Sequence, residues 1–143
     1  MIMCAGIPPA AHAQATGGNI HPMFDDPENV GTITAWHAHV YFDQESRATA
    51  AWLRERVAEH HPAARFGHWH EVKVGPHPGP MYQIAFTSGD AALLIPFLAL
   101  NRRGLTILVH PDTGRPRADH LEHALWMGAV LPLDAAALVE RPK

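Results

Sequence analysis

The chain has 143 residues and a mass of 15.7 kDa, enough for one domain with a core and too few for two ordinary ones. Hydrophobic residues make up 47% and charged residues 17%, the balance of a globular chain rather than a disordered one. Lys and Arg total 11 against 14 Asp and Glu, a net charge of −3 without a basic block, so nucleic acid is not expected as a partner. No apolar run approaches the ~18–20 residues of a membrane span. A single cysteine, Cys4, excludes an internal disulfide framework and a Cys-built zinc site. Histidine stands out, with 12 residues, and the function is expected to show there.

Residues 1–30 are rich in Ala, Gly and Pro without a sustained period, and are expected to form a flexible tail ahead of a single domain over 31–143. Ala11-His12-Ala13 before Gln14 resembles a signal cleavage site, but no positive segment precedes it and the apolar stretch is short. A cytoplasmic location is therefore expected. Residues 32–42 alternate, with Trp36, Ala38, Val40 and Phe42 on one side and His37, His39 and Tyr41 on the other, which predicts a strand. Asp43 offers a cap, and Ala50, Leu53 and Val57 give residues 45–59 helical spacing, ended by His60-His61-Pro62. A second strand is predicted over 65–74, with Phe66, His68, His70 and Val72 sharing a side. Residues 75–80, Gly-Pro-His-Pro-Gly-Pro, form a stiff loop that holds His77 in its middle.

A third strand follows over 81–86, and Thr87 with Asp90 starts a helix running to about Arg103, in which Pro96 kinks the helix or lies in its first turn. The apolar run 105–109 predicts a strand well inside the sheet, stopped by His110-Pro111. Asp119 and Glu122 begin a short helix ending near Gly128, and 134–140 makes a last turn or two. Strand, helix, strand, strand, helix, strand is the order of a split βαβ, ferredoxin-like α+β domain: a four-stranded antiparallel sheet with its helices on one face.

In the sheet order 4-1-3-2 usual for that arrangement, His37 and His39 project from the early half of the first strand, away from Trp36 and Val40. His110 ends the fourth strand at the same end of the sheet, on the open face with Thr106 and Leu108, and the loop bearing His77 closes there too. Four histidines from three segments thus converge. Neutral imidazole is a common metal ligand, and a facial set of three leaves positions open for a substrate. His70 shares the open-face alternation on an edge strand, as a ligand or an acid/base. His120 and His123 lie three apart on a helix and either line the pocket or face solvent. His12, His21, His60 and His61 sit in the tail or at a helix end and read as surface, and His68 is ambiguous. Trp36, Phe42, Leu53 and Phe97 read as core, and Trp126 and Met127 as packing for the last helix. Arg102-Arg103 reads as a solvated helix end, or as a contact for a substrate carboxylate. No phosphate loop, dinucleotide turn, nucleophile elbow or zincin helix is present.

Taken together, Trp36-His37-Ala38-His39-Val40-Tyr41-Phe42, Gly75-Pro76-His77-Pro78, Leu108-Val109-His110-Pro111 with Thr113-Gly114, Asp119-His120 and Ala124-Leu125-Trp126-Met127-Gly128 resemble the DOPA 4,5-dioxygenase family of aromatic ring-opening enzymes, over roughly residues 32–133. The resemblance implies an extradiol dioxygenase: a catechol such as DOPA is opened by O2 beside its two hydroxyls, giving a semialdehyde that can cyclise. It also implies a non-haem Fe(II) site in a small ferredoxin-like homodimer. On that reading His39, His77 and His110 are the metal ligands, His37 or His70 is the acid/base, and His120 lies behind a ligand or against the substrate. Three histidines depart from the commoner two-His, one-carboxylate site. Glu71 and Asp119 are the nearest carboxylates by sequence should one be needed. A non-catalytic ferredoxin-like dimer that binds a metal or an aromatic ligand is the alternative. A third reading is a cofactor-free or haem-assisted monooxygenase of the dimeric α+β barrel type.

Overall fold

Alternating side chains build a five-stranded antiparallel sheet in the computed structural model, which describes residues 26–140. The strands are β1 (Ala35–Tyr41), β2 (Arg65–His70), β3 (Met81–Phe86), β4 (Ile107–Asp112) and β5 (Leu125–Met127), in the order β2-β3-β1-β4-β5. The helices are α1 (Arg47–His60), α2 (Ser88–Asn101) and α3 (Pro116–Leu121). Most of the expected tail, residues 1–25 with His12 and His21, lies outside the described residues. From Glu28 onward the chain is tied down: Glu28 pairs with Arg115, and Val30–Thr32 forms a 3-10 turn capped by the Asn29 side chain.

One face of the sheet is apolar and covered. Ala38 and Val40 of β1, Tyr82 and Ile84 of β3, and Ile107 and Val109 of β4 pack against Leu53 and Val57 of α1 and Leu94 and Leu98 of α2. Each buried Val, Leu or Ile among them contributes roughly 1.5–3 kcal/mol. Thr87 caps α2 by accepting a hydrogen bond from the Asp90 N–H, as the sequence predicts. Pro96 lies in the interior of that helix on its exposed side. The other face carries His37, His39 and Tyr41 of β1, where no long helix covers them.

The structure corrects the expected fold in four places. The sheet has five strands, not four: residues 125–127, expected in a helix, pair with β4 through Leu125↔Val109, Trp126↔Leu108 and Met127↔Ile107. The last helix accordingly starts at Pro116, whose fixed φ suits a first helical position, and ends at Leu121 instead of running from 119 to about 128. It delivers His120 to the open face, so only α1 and α2 share the covered one. β2 ends at His70 rather than 74 and bulges between Phe66 and Trp69, which puts both aromatics against the covered core and separates them from His70. Gly67 permits that bulge, since a Cβ there would lie 3.2 Å from Cβ of Gln83. Finally, β4 continues through His110-Pro111 to Asp112. A proline is tolerated because the ladder with β5 ends at Val109, leaving no outer partner for the missing N–H.

Candidate metal centre

The register places the histidines before any side-chain choice is made. His37 and His110 are directly opposite in the β1–β4 ladder, and His39 is opposite Leu108 on one side and Gln83 on the other. The proline-locked loop between β2 and β3 brings in His77, which its own backbone bond to Val74 O holds in a tight turn. α3 brings in His120. The rings pack closely: His39 lies 4.1 Å from His77 and 5.2 Å from His110 between centroids, and His110 lies 3.9 Å from His120. Together the five histidines line a cavity of about 210 Å³, with Gln83, Asp112, Gly114 and Asp119 in its walls.

Hydrogen bonds fix how several rings present themselves. Nδ1 of His110 is 2.7 Å from the Pro111 carbonyl, and Nδ1 of His120 is 2.8 Å from the Pro116 carbonyl. A carbonyl only accepts, so both Nδ1 atoms carry the proton and both Nε2 atoms keep a lone pair. Nε2 of His110 is 3.1 Å from Nε2 of His39, while Nδ1 of His39 is buried without a partner among the described residues. His77 shares a 2.7 Å hydrogen bond through Nδ1 with the Tyr41 hydroxyl, and the Tyr41 ring stacks on Trp126 at 6.0 Å.

Burial keeps these imidazoles neutral. Desolvation, reinforced by neighbouring histidines, pushes His77 down to about 4 and His110 down to about 3, and holds His39 well below its ordinary value. His37 and His120 are lowered by burial as well, against an opposing pull from Asp112 and Asp119. Burial also raises the Tyr41 phenol, which stays protonated. A patch of neutral nitrogen donors is what a transition-metal ion requires, since protonated rings cannot ligate.

Two compact donor groups exist among the described residues, His37-His39-His110 and His39-His77-His120, each with ligand atoms within 4.8 Å of one another. The expected ligands His39, His77 and His110 are therefore spread over both groups, with His39 common to the two. The structure brings His37, His39, His77, His110 and His120 together. His70 is not among them: it is half-buried on edge strand β2 opposite Met81. Glu71 is held on the surface by Arg47 and the Trp69 indole. Asp119 is buried, and its carboxylate accepts from the Thr113 N–H and hydroxyl at 2.9 and 2.6 Å. Although burial opposes its ionisation, those bonds hold Asp119 below the usual carboxylate range. It fixes the turn before α3 and thereby His120.

Neither Arg102 nor Arg103 is near the cavity: Arg102 donates to Leu105 O, and Arg103 lies 3.5 Å over the Trp52 ring. The sequence reading missed Gln83 and Asp112. Gln83 had a signal, a polar residue at an open-face position between Tyr82 and Ile84. Asp112 had none, because the strand was expected to stop before it.

Comparison with known proteins bears on this cluster. The family model described as the Dopa 4,5-dioxygenase family matches residues 36–137. A DOPA 4,5-dioxygenase of Amanita muscaria is 35% identical over 114 residues, covering 74% of this chain and 50% of that one. An uncharacterized 21.2 kDa protein of Botryotinia fuckeliana is also 35% identical, over 86% of this chain and 73% of its own. The crystal structure of a "putative dioxygenase" from Nostoc punctiforme is 44% identical with a TM-score of 0.76, over 78% of this chain and 96% of that one.

Proposed function

The chain belongs to the Dopa 4,5-dioxygenase family, and on that premise we propose that it is a non-haem, iron-dependent extradiol dioxygenase opening a catechol such as DOPA. The observation that carries this reading is the meeting of His39 Nε2 and His110 Nε2 at 3.1 Å inside a buried set of neutral imidazoles. Two metal–nitrogen bonds of about 2.0–2.1 Å at ordinary angles leave their nitrogens roughly 3.0–3.4 Å apart. His37 completes a donor group with His39 and His110, and these three would hold the ion.

Bound there, Fe(II) would supply a Lewis-acidic, redox-active centre at which a catecholate and O2 can react. The remaining work falls to the chain's own groups. His120, whose Nδ1–H is committed to the Pro116 carbonyl, offers its Nε2 lone pair to accept a catechol proton. His77, braced by Tyr41, faces the same cavity and would orient the bound substrate, while the proton taken up by His120 is returned as the ring opens. Leu108, Met81 and Trp126 form an apolar cluster around Tyr41 and so hold the hydroxyl that braces His77. The product retains both atoms of O2 and breaks the ring carbon–carbon bond beside the hydroxyls.

The test is anaerobic loading with Fe(II), then addition of DOPA or a simple catechol in air while O2 and the visible spectrum are followed. Iron-dependent O2 uptake with a growing yellow semialdehyde band is expected. A stable complex without uptake, across several catechols, would instead support the non-catalytic binding module.

A further inference from the structure

A second cleft adjoins the histidine cavity. It has a volume of about 710 Å³ and shares Gly114 with the histidine cavity, where the turn after β4 forms a common wall. Arg115 lines it, and its two chain neighbours, Gly114 and Pro116, both line the histidine cavity. Consecutive Cα atoms are about 3.8 Å apart, so the Arg115 side chain starts at the junction of the two spaces. It is the sole Arg or Lys among the described residues lining either one.

The chemistry of this cleft differs sharply from that of the cavity beside it. The cavity gathers neutral imidazoles with the carboxylates of Asp112 and Asp119 in its walls and no cation among the described residues, whereas the cleft carries charges of both signs: Arg115 with Glu28 and Glu140. Glu28 takes one guanidinium nitrogen, Nη2 of Arg115, through its Oε2. The other guanidinium nitrogens, Nε and Nη1, have no hydrogen-bond partner among the described residues, so the fork retains donors for a planar anion. The pair is half-exposed at side-chain values of 46% and 65%, open to an incoming ligand rather than sealed inside the fold.

We propose that this cleft reads the tail of the substrate, with Arg115 binding a carboxylate and Glu28 an adjacent ammonium, so that the enzyme selects catechols bearing a zwitterionic amino-acid tail. The proposal rests on the catechol reading of the histidine cavity and adds to it the residues that set specificity. The ring occupies the histidine cavity, and the tail reaches past Gly114 toward Arg115 and Glu28. A side chain at Gly114 would be strained at its φ of +80°, so the wall shared by the two spaces stays bare.

Three probes separate the charges: DOPA, 3-(3,4-dihydroxyphenyl)propionate, which lacks the ammonium, and 4-methylcatechol, which lacks both. Each is titrated against metal-free protein by tryptophan fluorescence and assayed with the Fe(II)-loaded enzyme. Arg115→Gln is expected to raise Kd and KM for the two carboxylates, relative to 4-methylcatechol, by roughly tenfold to a hundredfold, the worth of a charge-assisted hydrogen bond. Glu28→Gln is expected to raise the ratio of DOPA to propionate and, because it frees Nη2 of Arg115, to lower the ratio of propionate to 4-methylcatechol. Ratios unmoved by Arg115→Gln would overturn the carboxylate assignment, and a ratio of DOPA to propionate unmoved by Glu28→Gln would overturn the ammonium one. Wild-type protein that binds and turns over none of the three would overturn the catechol reading itself, a distinct result.

Discussion

His39 is the residue on which the site turns, because it is a member of both donor groups and its Nδ1 is buried without a partner. Its closest nitrogen neighbour is on His110, and removing that ring should cost the metal before it costs the fold. His110→Ala is expected to lower bound iron from about one per chain to a small fraction while circular dichroism stays unchanged; retained iron and activity would contradict the ligand assignment. Acid should act on the same rings. His39, His77 and His110 have folded values below the unfolded one, so between the two the unfolded chain binds more protons. Metal-free protein is therefore most stable above about pH 6.5 and weakens as the pH falls toward about 4 and then about 3. Its urea midpoint is expected to be lower at about pH 5 than at about pH 8, and a flat profile would show that these rings are not buried as described. At this scale much was legible. Alternation along β1 put His37 and His39 on the face opposite Val40, and the prolines around His77 marked a pre-set ring. The hydrogen-bond acceptors at Pro111 and Pro116, which decide which nitrogen faces inward, leave no mark on residue spacing.

Among the elements, the sequence reading fails where short-range pattern is overridden by pairing. β5 has three residues, too few to alternate, and owes its existence to the free edge of β4. Its Trp126 closes over Tyr41, so the strand expected to be a helix end supports the inner end of the cavity. α3 depends on one buried carboxylate. Asp119→Ala would leave the Thr113 N–H and hydroxyl unpaired, at a cost of about 1–3 kcal/mol, and would loosen His120. A fall in kcat with bound iron retained is expected; loss of the iron would instead make His120 a ligand. In α2, Pro96 lies in the helix interior on an exposed side and costs a backbone hydrogen bond. Pro96→Ala is expected to stabilise the protein by on the order of 1 kcal/mol or more, read as a rise in Tm of several degrees, with catechol turnover unaltered.

The whole molecule is a sheet with two unlike faces. One is sealed by α1 and α2 into an apolar core, and the other gathers titratable rings that burial holds neutral. The succession of the first four strands and two helices was legible from the parity of each short apolar run and the turn residues between them, and the sheet order is the usual one for that succession. With that sheet order and the parity of each strand, the convergence of His37, His39, His77 and His110 followed. The fifth strand, the bulge at Gly67 and the entry of His120 came from contacts distant in sequence. A site of this kind stabilises its fold when filled, by RT ln(1 + [L]/Kd), or about 2.7 kcal/mol at a hundredfold excess over Kd. Anaerobic Fe(II) is therefore expected to raise Tm in the wild type and to leave the Tm of His110→Ala unmoved.

The central claim is that both atoms of O2 enter a ring-opened product. Mass spectrometry of the product formed from a catechol under ¹⁸O2 tests it most directly. A product heavier than the substrate by one O2, with label retained in the new carboxylate even where the aldehyde exchanges with water, is the predicted result. A quinone, or a product whose oxygen derives only from water, would contradict it.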